Sequence, residues 1–117
     1  MEIVTLPIRN WVNGEEHFQI SYFFDDSKSY EIAVSDLTYG RKFNDTNIVE
    51  ISTNILEYNV LNPKNIIHRF SYNKKYQISP MVYYKIDAGS LENLRLKLTN
   101  FRSQPLAINL SIREING

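Results

Sequence analysis

The chain has 117 residues, thirteen basic and thirteen acidic side chains, and no cysteine. That length holds one hydrophobic core and hides about two thirds of the unfolded surface without staples. Lack of cysteine excludes disulfides, thiolate-ligated metal centres and a cysteine nucleophile, and zero formal charge argues against an overall electrostatic grip on nucleic acid.

A mean hydropathy of −0.35 with 43% hydrophobic residues argues against disorder and leads us to expect no membrane span. Fourteen Ile, thirteen Asn and eight Tyr stand against only four Gly and four Pro. Ile and Tyr suit a pleated, half-buried surface, and Asn suits tight turns. A/T-rich coding would also raise these residues together, so the pattern along the chain has to decide.

In chain order, Glu2 to Leu6 reads as a short strand stopped by Pro7. The first twenty residues carry Glu2, Arg9, Glu15 and Glu16 without an extended apolar run, so no signal peptide is expected and the location is read as intracellular or virion. Phe18, Ile20, Tyr22 and Phe24 alternate with His17, Gln19, Ser21 and Phe23, a strand that Asp25-Asp26-Ser27 closes with turn chemistry. Tyr30, Ile32 and Val34 alternate with Glu31, Ala33 and Ser35, a second strand expected to run antiparallel to the first.

Thr46 to Thr53 reads as a strand, and Asn54 to Leu61 as a helical turn or another strand. The best helix candidate, Asp45 to Asn59, does not keep a 3.6-residue apolar spacing. Ile66, His68, Phe70 and Tyr72 alternate with Ile67, Arg69 and Ser71 before an Asn73-Lys74-Lys75 turn, and Met81 to Ile86 follows Pro80 as a further strand. Leu94, Leu96 and Leu98, then Leu106, Ile108, Leu110 and Ile112, each mark one dry face, and the two segments read as a hairpin. Eight or so short strands spaced about ten residues apart predict a single all-β domain over 1–117. The expected form is an antiparallel β-sandwich, jelly-roll-like or immunoglobulin-like.

Little in this pattern carries chemistry. His17 and His68 share no third ligand at a common spacing, so both are read as ordinary strand histidines and no metal is expected. Glu15-Glu16 and Asp25-Asp26 point to opposite faces if extended, so neither pair serves one proton. No G-x-S-x-G elbow and no glycine-rich phosphate loop occurs. The expectation is a protein that is not an enzyme, with no catalytic residue and no cofactor. Asn44-Asp45-Thr46 and Asn109-Leu110-Ser111 fit the glycosylation triplet and are read as chance matches.

Arg69, Phe70, Tyr72, Lys74, Lys75 and Tyr76, then Tyr83, Tyr84 and Lys85, interleave basic and aromatic residues in the manner of a stacking platform. Zero net charge and the lack of an RNP-like motif weigh against nucleic acid. Aromatic faces could also line a groove for a glycan. The simpler account is core packing plus subunit contact, because interfaces are enriched in Tyr. The residues expected at such contacts are Trp11, Phe43, Tyr58, Tyr83, Tyr84 and Phe101, since they fall in turns or off the dry faces.

Lys28-Ser29-Tyr30-Glu31-Ile32-Ala33-Val34-Ser35-Asp36-Leu37-Thr38-Tyr39, followed by Phe43-Asn44-Asp45-Thr46, resembles a block in proteins of Polinton (Maverick) elements and adintovirus-like viruses. There a Gly or Ser and an aromatic precede Glu-Val-Ala-Leu, then an acidic residue, Tyr-Pro and an Asn-containing loop. The Thr5-Leu6-Pro7 opening and the Leu94–Asn100 and Gln104–Glu114 segments are similar to that family as well. Gly40 stands where the family usually has Pro, and the turn between the last two strands has no Gly. The resemblance implies a virus-type structural protein, a capsid, penton or spike-base component, whose partners are copies of itself or other virion proteins. It carries over no catalytic residue.

Overall fold

A computed structural model describes residues 2–11, 14–18, 24–25, 27–39, 48–71, 81–87, 94–100 and 106–115. Within them the chain is all-β: β1 (Glu2–Trp11), β2 (Glu15–Phe18), β3 (Ser29–Tyr39), β4 (Val49–Thr53), β5 (Ile66–Phe70), β6 (Tyr84–Lys85), β7 (Leu94–Thr99) and β8 (Leu106–Ile115). They form two antiparallel sheets, the first in the order β1-β8-β3-β6 and the second β2-β7-β4-β5. No helix among the described residues is long and apolar enough to cross a membrane.

The pairing is nested. β1 pairs with β8, β2 with β7, β3 with β6 and β4 with β5, as though one long two-stranded ribbon had been folded on itself. Two further ladders, β3 with β8 and β4 with β7, knit the folded ribbon into its two sheets. Ile32 and Val34 of β3, Val49 and Ile51 of β4, Leu94, Leu96 and Leu98 of β7, and the Leu106–Ile112 series of β8 join one hydrophobic cluster. The two sheets therefore share a single core.

This arrangement corrects both hairpins expected from the sequence. β3 pairs with β8 and β6, not with the preceding strand. β7 and β8 are not a hairpin either, because β7 lies in the second sheet and β8 in the first. The physical reason is simple. A period-2 pattern says which side of a strand is dry, and a dry side can be buried as well across the core as beside a neighbour.

Other expectations shift more locally. Pro7 does not stop β1, which runs on to Trp11. Because β1 is an edge strand, the N–H that proline lacks need not serve a second neighbour. The helix candidate 45–59 contains β4 and, from Asn54 to Asn59, non-helical chain, while residues 45–47 lie outside the described set. Of the aromatic strand expected over 18–24, only Phe18 and Phe24 fall within it. The Asn73-Lys74-Lys75 turn also lies outside.

Two bulges reset the alternation. On β3 the register steps from Val34–Leu110 to Asp36–Asn109, so Ser35 is extra and its Oγ donates to the Asn109 carbonyl at 3.1 Å. That shift turns Leu37, opposite Ile108, into the core. On β5 the register steps from Ile51–His68 to Ser52–Ile66, leaving Ile67 as the extra residue. Ile67 enters the core cluster, and Ile66, though buried, is left out of it on the opposite face.

The turn before β3 follows its sequence chemistry. Asp25 Oδ1 accepts hydrogen bonds from the Ser27 amide at 2.9 Å and the Ser27 hydroxyl at 2.7 Å. Those bonds hold the Asp25 carboxyl below the usual aspartate range. The Tyr30 hydroxyl accepts from the Asp25 amide at 3.1 Å, and its ring lies 4.5 Å from that of Phe24.

Candidate functional site

After β4 the chain runs beside β6. Leu56 bridges Ile86, the Glu57 amide donates to the Lys85 carbonyl at 2.9 Å, and the Asp87 amide donates to the Ile55 carbonyl at 2.8 Å. Ile55 and Leu56 are buried, so this short stretch covers the β6 edge of the first sheet. The chain then emerges at Tyr58.

Three asparagines brace the loop that follows. Asn59 Oδ1 accepts from the Leu61 amide at 2.9 Å, and the Asn59 carbonyl accepts from the Asn62 amide at 2.9 Å. The Asn62 side chain clasps Ile66 twice, accepting from its amide at 3.0 Å and donating to its carbonyl at 2.9 Å. Asn65 adopts a φ of 56°, a left-handed conformation that asparagine tolerates better than most residues. Its carbonyl accepts from the Thr53 amide at 3.1 Å. Two of the thirteen asparagine side chains, Asn59 and Asn62, thus bond the local backbone here.

This bracing holds apolar side chains in water. Tyr58 is 74% exposed, Val60 73% and Leu61 90%. Met81 and Val82, just ahead of Tyr84, are also exposed. A groove of about 330 Å³ between the loop and β6 is lined by Leu56, Tyr58, Val60 and Tyr84, with Glu57 and Lys85 at its polar side. Glu57 and Lys85 neutralise each other at 3.1 Å. Neither 58–62 nor 81–84 contains a charged residue, in a chain where 22% of residues are charged.

The expected contact residues divide accordingly. Tyr58 and Tyr84 meet at this groove, and Tyr84 also packs against the core cluster. Tyr83 turns to the outer face of the first sheet, where its hydroxyl lies 3.1 Å from Ser111 Oγ and the Arg113 guanidinium lies 3.6 Å above its ring. Trp11 ends β1, opposite Leu106, on the far edge of that sheet from β6. Two intervening strands put it roughly 14 Å or more from the groove. Phe43 and Phe101 lie outside the described residues.

Val60, Leu61, Met81 and Val82 were not singled out by sequence reasoning. The signal that could have found them is the pair of charge-free runs, which carry no strand alternation.

The histidines sit far apart. His17 on β2 and His68 on β5 occupy opposite edges of the second sheet, roughly 14 Å apart across two intervening strands. No group of three His, Asp or Glu side chains capable of holding a metal occurs among the described residues. Burial pushes the His68 imidazole below its ordinary pKa, and its ring stacks on Phe70 with centroids 6.5 Å apart.

Within the basic-aromatic run, Phe70 is buried in the core and Arg69 Nε donates to Glu50 Oε2 at 2.9 Å. Residues 72–76 lie outside the described set. At the second glycosylation triplet, Asn109 lies mid-strand in β8 and Ser111 is fully buried, whereas Asn44 of the first is outside the described residues. Comparison of the chain with protein-family models, with curated proteins and with solved structures finds no match.

Proposed function

We propose that the chain is a jelly-roll β-sandwich acting as a non-enzymatic structural subunit of virus type, a capsid, penton or spike-base component that associates with copies of itself. The nested strand pairing carries this reading. A ribbon paired 1–8, 2–7, 3–6 and 4–5 and rolled into two four-stranded sheets is the jelly-roll plan, a scaffold used by viral capsid domains and lectins. Fold alone does not make function, and an assembling subunit also needs a surface.

The Tyr58–Leu61 loop supplies one. Interfaces concentrate Tyr and apolar side chains at a charge-poor centre, and the exposed Tyr58, Val60 and Leu61 of this loop have that composition. The occupant is a second copy of this chain. Zero net charge removes long-range repulsion between copies, and a patch without charges can meet itself across a symmetry axis with no ion left unpaired. The similarity to Polinton and adintovirus-like proteins points the same way, toward assembly in a virion or inside the cell that makes it.

Light scattering over the micromolar range tests the proposal. The expected result is an oligomer that Leu61→Lys converts to a monomer, with circular dichroism unchanged because Leu61 touches little of its own fold. Electron microscopy of the wild-type chain should show particles or discrete rings. A wild-type monomer at every concentration would overturn the reading.

A further inference from the structure

The outer face of the second sheet carries a basin that the assembly reading does not use. Outward-pointing residues of β4 and β7 alternate across it. Ser52 stands opposite Lys97, and Glu50 opposite Thr99. The β5 bulge then brings Ile66 opposite Ser52 on this same face, instead of sending it into the core. These residues, with Lys64 from the braced loop, enclose about 410 Å³, within the size range of small-ligand sites.

The charges in the basin do not balance. Glu50 is taken by Arg69, whose Nε lies 2.9 Å from its carboxylate. Lys64 and Lys97 make no ion pair with any described residue, although Glu15 is the cross-strand neighbour of Lys97. Arg95, opposite His17 and one outward pair further along β7, adds positive potential on the same side. The basin thus offers two ammonium groups, two hydroxyls from Ser52 and Thr99, and an apolar floor from Ile66.

The geometry points to an anionic saccharide as the ligand of this basin: a sugar bearing a carboxylate or sulfate. The lysines would meet the anionic group, Ser52 and Thr99 the ring hydroxyls, and Ile66 the apolar edge of the ring. Nucleic acid fits less well. The lining has no aromatic side chain on which a base could stack, and the chain as a whole is neutral. This basin opens on the outer face of the second sheet, whereas Tyr58 and Val60 line the groove beside Tyr84 and Lys85 of the first, and it stands whether or not the chain self-associates.

The test is titration of the full ¹⁵N-labelled chain with a sialylated trisaccharide, a heparin-derived disaccharide, neutral lactose and inorganic sulfate. An acidic sugar should shift the amides of Ser52, Lys64, Ile66, Lys97 and Thr99 in the millimolar range, and the two acidic arms tell carboxylate from sulfate preference. Lactose should leave those amides unmoved, and sulfate should bind more weakly than the preferred sugar. Lys64→Ala with Lys97→Ala should weaken binding about tenfold or more, since each removes a charge-assisted contact. Both side chains are exposed, so the fold should survive, and Lys28→Ala serves as the unaffected control. The inference falls if no sugar shifts these amides, or if lactose binds as well as the acidic sugars. It also falls if sulfate alone matches them, if a single-stranded oligonucleotide binds more tightly, or if the double variant binds normally.

Discussion

On the outer face of the first sheet Ser111 and Ala33 are fully buried, whereas on the outer face of the second sheet Lys97, Thr99 and Lys64 stand in water. Tyr83 and Arg113 cover the first pair. Continuing the β3–β6 register by one residue sets Tyr83 opposite Ala33, which is small enough for a ring to lie over it. The Tyr83 hydroxyl then reaches Ser111, the cross-strand partner of Ala33, and Arg113 closes over the ring while Glu31 accepts from its Nε. Around Ala33 and Ser111 the first sheet is thus dry on one side and roofed on the other, while Asp36, Thr38 and Lys85 of its outer face stay exposed. The second keeps an open outer face, with Ile66 alone buried beneath its polar rim among the described residues. A roofed sheet suits a structural wall, and an open one leaves a surface for a ligand.

The comparison presumes that both sheets stand on one core, and that is the first thing to break. Leu110 of β8 and Leu96 of β7 are each fully buried on facing sheets. Leu110→Ala and Leu96→Ala should each cost about 3 kcal/mol, the usual range for a large-to-small core change. In urea both variants should lower the midpoint with the slope unchanged. If one variant produced a separate transition instead, the sheets would be independent units and the contrast between their outer faces would lose its common base.

The core was legible in the sequence and the pairing was not. Leu94, Leu96 and Leu98 against Arg95, Lys97 and Thr99 gave the dry face of β7 correctly, and the structure buries the first three and exposes the others. Its partners could not be read, because β2 and β4 compete for the same ladder with β8, and nothing in a period-2 pattern ranks them. The bulges were invisible for a related reason. Ile66 and Ile67 are chemically identical, so only the register decides which enters the core and which floors the basin. Among contact residues, Tyr58 was singled out as lying in a turn or off a dry face, and it is exposed. Tyr83 was singled out as a contact without any sign of its role as a roof, which depends on Ala33 and Ser111 from two other strands.

The roof itself gives the next effect. Tyr83→Ala should cost about 2 kcal/mol, below a full core deletion because the ring is only half-buried. Tyr83→Phe keeps the ring over Ala33 and the guanidinium stack, and loses the hydroxyl's contacts with Ser111 and Met81, a cost of about 1 kcal/mol. Lys97→Ala on the open sheet should stay within about 0.5 kcal/mol of the parent, as exposed positions usually do. Thermal melts of the three variants measure the contrast directly. Equal losses at Tyr83 and Lys97 would mean that the roof contributes nothing.

The smallest effect concerns the edge of the open sheet, where His68 of β5 faces Ile51 and stacks on Phe70. Burial disfavours its charged form, so its pKa in the folded chain lies below the ordinary value near 6.5. Between those two values the unfolded chain binds more protons than the folded one, and stability therefore rises with pH across that window. Stability should be complete above about pH 6.5 and decline as the pH falls through the unfolded-state pKa toward the folded one. Asp25, held low by Ser27, should lose its own small contribution only in more acidic solution, so the two declines are separable. His68→Gln removes the titrating group from the second sheet and should flatten the melting temperature between pH 7 and pH 5 (about the span in which histidine charges). A decline that persists in His68→Gln would assign the titration elsewhere. A flattened profile would show that one edge of the open sheet senses protons through its core side, whereas its outer face meets solvent directly.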